Sequence, residues 1–147
     1  MTKERIRGKK REAVAERAGG RCEYCRCPEY IGTQGFSVEH VVPRDKGGTN
    51  DADNLALSCQ GCNNHKHTST EAPDPAMQDL APLFHPRQQR WDAHFCWSDD
   101  FTLVVGLTPT GRATVERLQL NRAEVVRFRR VLYAAGEHPP VEQYKSS

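Results

Sequence analysis

The apolar positions of this chain fall into short clusters, each closed by glycine, proline or a polar run. In residues 9–18 (KKREAVAERA), Val14 and Ala18 stand four apart among helix-forming residues, which predicts a helix stopped by Gly19-Gly20. Residues 36–42 (FSVEHVV) have the β-branched and aromatic content of a strand. Alternation would put Phe36, Val38 and His40 on one face, with Ser37, Glu39 and Val41 on the other. Pro43 ends that strand, and the polar loop of residues 43–54 bends at Gly47-Gly48 before a second short strand at 55–58 (LALS). A helix is expected from Gln60 to about His67, with Asn63 and Lys66 three apart on one face.

Pro73, Pro75, Pro82 and Pro86 argue against a regular element in the next stretch, so residues 71–90 read as a proline-rich linker. Residues 101–107 (FTLVVGL) predict a strand, paired with the preceding WDAHFCW segment through a turn at Ser98-Asp99-Asp100. Thr108-Pro109 is a helix start, with threonine as cap and proline at the first position. Asn121-Arg122-Ala123-Glu124 has the form of a capping box, followed by an apolar stripe of Val125, Phe128, Leu132 and Ala135 that ends at Gly136. The tail from Glu137 is expected to be loose. The expected fold class is α+β in three parts. Residues 1–70 form a small module with an N-terminal basic helix, 71–90 the linker, and 91–147 a β-hairpin and helices packing on the module.

A length of 147 residues suits one domain with an appended piece. No apolar run approaches the ~18–20 residues of a membrane helix, and the N-terminus lacks an apolar signal region. The expected location is cytoplasmic, without a membrane partner. In that compartment six cysteines read as metal ligands rather than disulfides. The net charge of +2 conceals two basic clusters. One comprises Lys3, Arg5, Arg7, Lys9, Lys10, Arg11, Arg17 and Arg21; the other comprises Arg112, Arg117, Arg122, Arg127, Arg129 and Arg130. Such concentrations suggest a polyanion partner.

Cys22-x-x-Cys25 and Cys59-x-x-Cys62 each supply two sulfurs from one turn, the spacing of a tetrahedral zinc with Zn–S near ~2.3 Å. Four thiolates leave no open position, so this zinc is structural. Its binding energy, ~10–16 kcal/mol in small domains, exceeds what the short insert gains by burial. Cys27 and Cys96 are left over as free thiols. Between the knuckles and just after the second lie groups of a different chemistry. Glu39 is a hard oxygen ligand, His40 a nitrogen base, Asn63 an amide oxygen and Lys66 a cation able to reach a phosphate. Carboxylate and amide oxygens suit Mg2+ or Mn2+ rather than zinc.

In C-E-Y-C, V-E-H-V-V-P-R-D-K-G-G, D-N-L-A-L-S-C and C-Q-G-C-N-N-H-K, the chain resembles the HNH endonucleases of the ββα-metal fold, in their zinc-containing branch. The resemblance covers roughly residues 11–67. It implies that His40 is the general base that activates water and that Glu39 is a ligand of the catalytic divalent metal. It implies that Asn54 bonds across the loop to hold His40 in place, that Asn63 is the other protein ligand of that metal, and that Lys66 lies near the scissile phosphate. Asn63 stands where the family has its last histidine or, in many members, asparagine, which makes this an H-N-N variant, with His65 and His67 nearby as substitutes. The implied activity is hydrolysis of DNA phosphodiester bonds, leaving 5′-phosphate and 3′-hydroxyl ends. The later segments LFHPRQQRWDAHF and LTPTGRATVERLQLNR look like an extension found in a subset of bacterial HNH proteins. In that extension Trp91, His94 and Trp97 either stack on bases or pack on the module, and Arg87 and Arg90 are candidate phosphate ligands.

The alternative is a non-catalytic, zinc-stapled nucleic-acid-binding module; a protein-interaction adaptor is a third reading. A binding module needs the cysteines and arginines but has no use for Glu39-His40 with Asn54 and Asn63. A cutter of palindromic sites would act as a homodimer, and no dimerisation motif is legible in the sequence.

Overall fold

A computed structural model describes residues 6–31 and 35–141. Lys3 and Arg5 of the first basic cluster lie outside the described residues, as does the tail beyond Val141. The chain is mixed α+β, with three two-stranded antiparallel sheets and five α-helices among the described residues.

Helix α1 (Gly8–Arg17) has one fully buried side chain, Val14, which packs with Leu55 and Leu57. The helix stops where expected because Gly19 and Gly20 both take left-handed φ, at 66° and 70°, which glycine adopts without a Cβ penalty. Strands β1 (Ser37–His40) and β2 (Leu55–Ser58) then pair antiparallel, Ser37 opposite Ser58 and His40 opposite Leu55. Every residue of β2 is buried, and α1 covers the face that carries Leu55 and Leu57. Helix α2 (Gln60–Lys66) follows directly, capped by the Cys59 sulfur, which accepts from the Cys62 amide at 3.4 Å. This is the expected ββα unit.

The segment expected as a linker is folded. Strands β3 (Glu71–Pro73) and β4 (Leu80–Pro82) form a hairpin, and Ala72, Ala81, Leu83 and Phe84 enter the main core. Its prolines are tolerated because a two-stranded hairpin has outward-facing backbone positions where no N–H is required. Asp74, 1% exposed, organises the turn: it accepts from the Ala76 amide and holds Arg112 through two hydrogen bonds of 2.9 and 2.8 Å.

A single helical turn, α3 (Trp91–His94), leads into the hairpin of β5 (Phe95–Trp97) and β6 (Val104–Gly106). Asp100 closes their connection, accepting from Ser98 Oγ and from both the amide and hydroxyl of Thr102. Helix α4 (Pro109–Leu118) starts at the Thr108 cap, whose hydroxyl accepts from the Gly111 amide at 3.0 Å.

Helix α5 (Ala123–Ala134) departs from expectation at two places. Its cap position is Arg122, while Asn121 extends β6 as a side-chain strand mimic, bonding the Val104 amide and carbonyl at 2.8 and 2.9 Å. Its buried stripe is Val125, Arg129 and Leu132, with Phe128 39% exposed. The tail also departs: His138 is buried, edge-on to Trp97, and its Nε2 bonds the Phe101 carbonyl at 2.7 Å.

One apolar cluster runs from the cysteine knuckles through Phe84, Trp91 and Phe95 to Leu118, Leu120 and Val125. The C-terminal elements and the knuckles therefore share a core.

Candidate functional site

The knuckle of Cys22–Cys25 is held by its own backbone and by β2. The Cys22 amide donates to the Cys27 carbonyl, Arg26 N to Cys22 O, and Glu23 pairs with Leu57 as if it were a strand residue. That pairing brings both knuckles together. The sulfurs of Cys22, Cys25, Cys59 and Cys62 all lie within 4.8 Å of one another, and Cys25 and Cys59 are 3.8 Å apart. A tetrahedron of Zn–S bonds near ~2.3 Å has an edge of about 3.8 Å. The donor set and its spacing fit one zinc ion, and none of the cysteines is in a disulfide.

A zinc with four thiolates carries a net charge of about −2, and two arginines far along the chain answer it. Arg122 Nη2 lies 3.2 Å from the Cys59 sulfur and Nη1 3.5 Å from that of Cys62. Burial works against the Arg122 charge, but the Cys62 thiolate outweighs it and raises the guanidinium pKa. Arg129, 1% exposed, donates to the carbonyls of Cys25, Leu120 and Thr102 and lies over the Trp97 ring. Cys27 is buried beside the cluster but outside the four; its hydrogen bond to Cys25 and its burial raise its thiol pKa and keep it protonated. Cys96 is exposed.

On the other side of the ββα unit, β1 presents Glu39 and His40 to opposite faces. Glu39 is 4% exposed and points inward. Its Oε1 accepts from the Tyr24 hydroxyl, and its Oε2 lies 3.6 Å from Lys66 Nζ. Burial and the Glu39 charge raise the Tyr24 pKa, so the phenol stays protonated and donates. The Lys66 position corrects an expectation. The side chain is 1% exposed, and its ammonium also donates to the Val41 carbonyl at 2.9 Å. It is an internal counter-charge, because α2 packs that face against the end of β1, and it does not reach into solvent for a phosphate.

His40 is 8% exposed, with Nε2 2.6 Å from Asn50 Oδ1. Asn54 makes three hydrogen bonds across the loop: Oδ1 accepts from Val42 N at 2.9 Å, and Nδ2 donates to Val42 O and Thr49 O at 3.0 and 2.9 Å. Gly48 is required there, since a Cβ would run into the Val42 carbonyl and the Asn54 amide. Asn63 stands half-buried in α2, directly after Cys62. His65 and His67 are exposed, and His67 ends the helix with φ of 51°.

Tyr24, Asn50, Arg122 and Arg129 were not singled out as site residues from the sequence. Tyr24 carried a weak signal, an aromatic residue between two knuckle cysteines. The arginines carried none, because their partners lie 60 or more residues away. They also shrink the second basic cluster: Arg122 and Arg129 serve the thiolates and their backbone, and Arg112 is held by Asp74. The candidate base-stacking residues are packed. Trp91 is 2% exposed with Nε1 donating to Tyr24 O, and His94 Nδ1 is 2.7 Å from the Thr108 hydroxyl.

No helix of the described residues is long and apolar enough to cross a membrane. No curated protein and no solved structure matches the chain. The family model described as HNH endonuclease matches residues 22–69, a span that opens at the first knuckle cysteine and closes just past α2. The chain thus carries an HNH endonuclease domain at residues 22–69.

Proposed function

We propose that the protein is a metal-dependent endonuclease that hydrolyses DNA phosphodiester bonds, with His40 as general base. The observation that carries this reading is the fixing of His40 at the end of β1. Asn50 takes one ring nitrogen, and Asn54 pins the loop beside it with three hydrogen bonds. Because Asn50 Oδ1 only accepts, Nε2 carries the ring proton and Nδ1 holds the lone pair. Nδ1 then takes a proton from water as the water oxygen attacks phosphorus in line, and the 3′ oxygen leaves. Such general-base help is worth ~10²–10⁴-fold.

Glu39 and Asn63 are the residues that would hold the divalent ion. Their carboxylate and amide oxygens are donors that Mg2+ or Mn2+ takes, and the ion would share the Glu39 carboxylate with the Lys66 ammonium. Such an ion supplies charge stabilisation to the phosphoryl oxygens in the transition state. Zinc is held apart from this chemistry, by thiolates alone.

The test is plasmid cleavage with added Mg2+ or Mn2+. Nicking or linearisation should appear, disappear with EDTA, and be lost in His40→Ala while zinc content and folding remain. DNA binding without cleavage under any divalent metal would favour the non-catalytic module, and parental cleavage by His40→Ala would remove His40 from the role of base.

A further inference from the structure

The Glu39 carboxylate, which would take the divalent ion, is already engaged at both oxygens. The Tyr24 hydroxyl donates to Oε1, and the Lys66 ammonium stands 3.6 Å from Oε2. All three side chains are buried, Tyr24 and Lys66 almost completely. We infer that Lys66 determines when this site accepts its ion: the ammonium competes for Glu39 in the free protein, so a divalent ion is bound tightly only together with DNA.

The lysine is built into this position. It stands three residues after Asn63 on α2, so the helix face that offers the amide ligand also delivers the ammonium. The Val41 carbonyl, just past β1, accepts from Nζ at 2.9 Å and aims it. Two cations at one carboxylate repel each other. Retreat of Lys66 would relieve that repulsion, but it would part a buried ammonium from its carboxylate, which is costly. Either way the free protein resists the ion, and Lys66 exerts this resistance through Glu39 rather than by touching DNA.

DNA changes the balance because it brings what the two proposed ligands lack. Asn63 supplies an amide oxygen without charge, and the Glu39 charge is shared with Lys66. Mg2+ is ordinarily held by one or two carboxylates with substrate phosphate completing its shell. A phosphate on the strand adds both oxygens and negative charge, so ion and DNA each favour the other, by the same factor in either order. The inference rests on the endonuclease reading for the place of the ion, but its readout is ion binding rather than cleavage.

The assay is Mn2+ binding to the full chain loaded with stoichiometric zinc, read from the paramagnetic resonance signal of the unbound ion. Without DNA, Lys66→Met should bind Mn2+ about 5–150-fold more tightly than the parent, the usual range of coupling between sites. Lys66→Met/Glu39→Gln should lose that gain, which places the ion at Glu39. A folded Lys66→Met with parental or weaker affinity overturns the inference, and so does a gain that survives Glu39→Gln. If Lys66→Met does not fold, the DNA arm decides. In His40→Ala, chosen so that the strand stays whole, a short duplex should tighten Mn2+ by a similar factor once ions bound to the duplex alone are subtracted. Equal affinity with and without the duplex overturns the inference. A parent that cuts DNA alongside such equal affinity keeps the endonuclease reading and loses this one. A protein that shows both shifts but never cuts keeps the competition at Glu39 and loses the endonuclease reading.

Discussion

Replacing Lys66 with methionine should destabilise the protein by about 3–5 kcal/mol, the usual cost of removing one partner from a buried ion pair. Lys66 is 1% exposed and Glu39 4%, and Nζ to Oε2 is 3.6 Å. At that distance the gross attraction of unit charges is roughly 5 kcal/mol at an effective dielectric near 20. Methionine fills much of the same volume, so the loss reports charge rather than a cavity. The Glu39 carboxylate would lose its ammonium partner while keeping the Tyr24 hydroxyl, and the Val41 carbonyl would lose its donor. Glu39→Gln should cost less, because an amide still accepts from Tyr24. The double variant should be about 2 kcal/mol or more better than the sum of the two, since neither charge is then stranded. Chemical denaturation in excess zinc measures all three, and the single Lys66→Met change should lower Tm by about 10 °C. A surface lysine that touches only DNA would change stability by less than ~0.5 kcal/mol. A Lys66→Met effect that small, with additive energies in the cycle, would refute the internal-pair argument and return Lys66 to the phosphate role.

Arg122→Gln should weaken zinc retention by about 10–100-fold, as loss of a group bonded to metal ligands does, measured by competition with a chromophoric chelator; unchanged retention would mean that the guanidinium contacts to Cys59 and Cys62 are incidental. Asn50→Ala should lower kcat for cleavage by roughly tenfold with KM little changed, because Asn50 positions His40 rather than touching DNA; a pure rise in KM would refute that role. The hydrogen bonds from Arg112 lower the Asp74 pKa from 3.8 to about 2. Its stabilising contribution is therefore complete above pH 3.8 and lost as the pH falls through about 2, so stability should fall across that window in the parent and less steeply in Asp74→Asn. Equal acid limbs for the two proteins would refute it.

What was legible in the sequence is what is local. The two C-x-x-C knuckles, the four-residue strands and the helix that starts at Cys59 are set by spacings within a turn or two, and they stand where pattern and turn residues put them. The proline-rich stretch misled because proline forbids central strands, not a two-stranded hairpin whose outer positions need no donor. Lys66 misled because composition does not say which face of a helix packs inward. That was decided by the Val41 carbonyl and the Glu39 carboxylate at the end of β1. The arginines misled most. Six in one cluster suggest a polyanion, yet Arg122 meets the cysteine sulfurs and Arg129 the Cys25 carbonyl beside them.

That last substitution changes the place of the C-terminal half in the protein. Arg122 and Arg129 bring positive charge to the thiolate cluster from a helix about 60 residues beyond Cys62, and Arg129 also ties the Cys25 carbonyl to Leu120 and Thr102. Trp91 adds a bond to the Tyr24 carbonyl, and Tyr24 in turn donates to Glu39. A continuous path of hydrogen bonds therefore runs from the C-terminal helices, through the first knuckle, to the carboxylate beside His40. Residues 22–69 contain the four cysteines and the residues proposed for catalysis, but the charge that offsets the cysteine sulfurs and the packing that orients Tyr24 come from residues 84–132. The extension acts as the second wall of the four-cysteine centre, and through Tyr24 it bears on the proposed nuclease site.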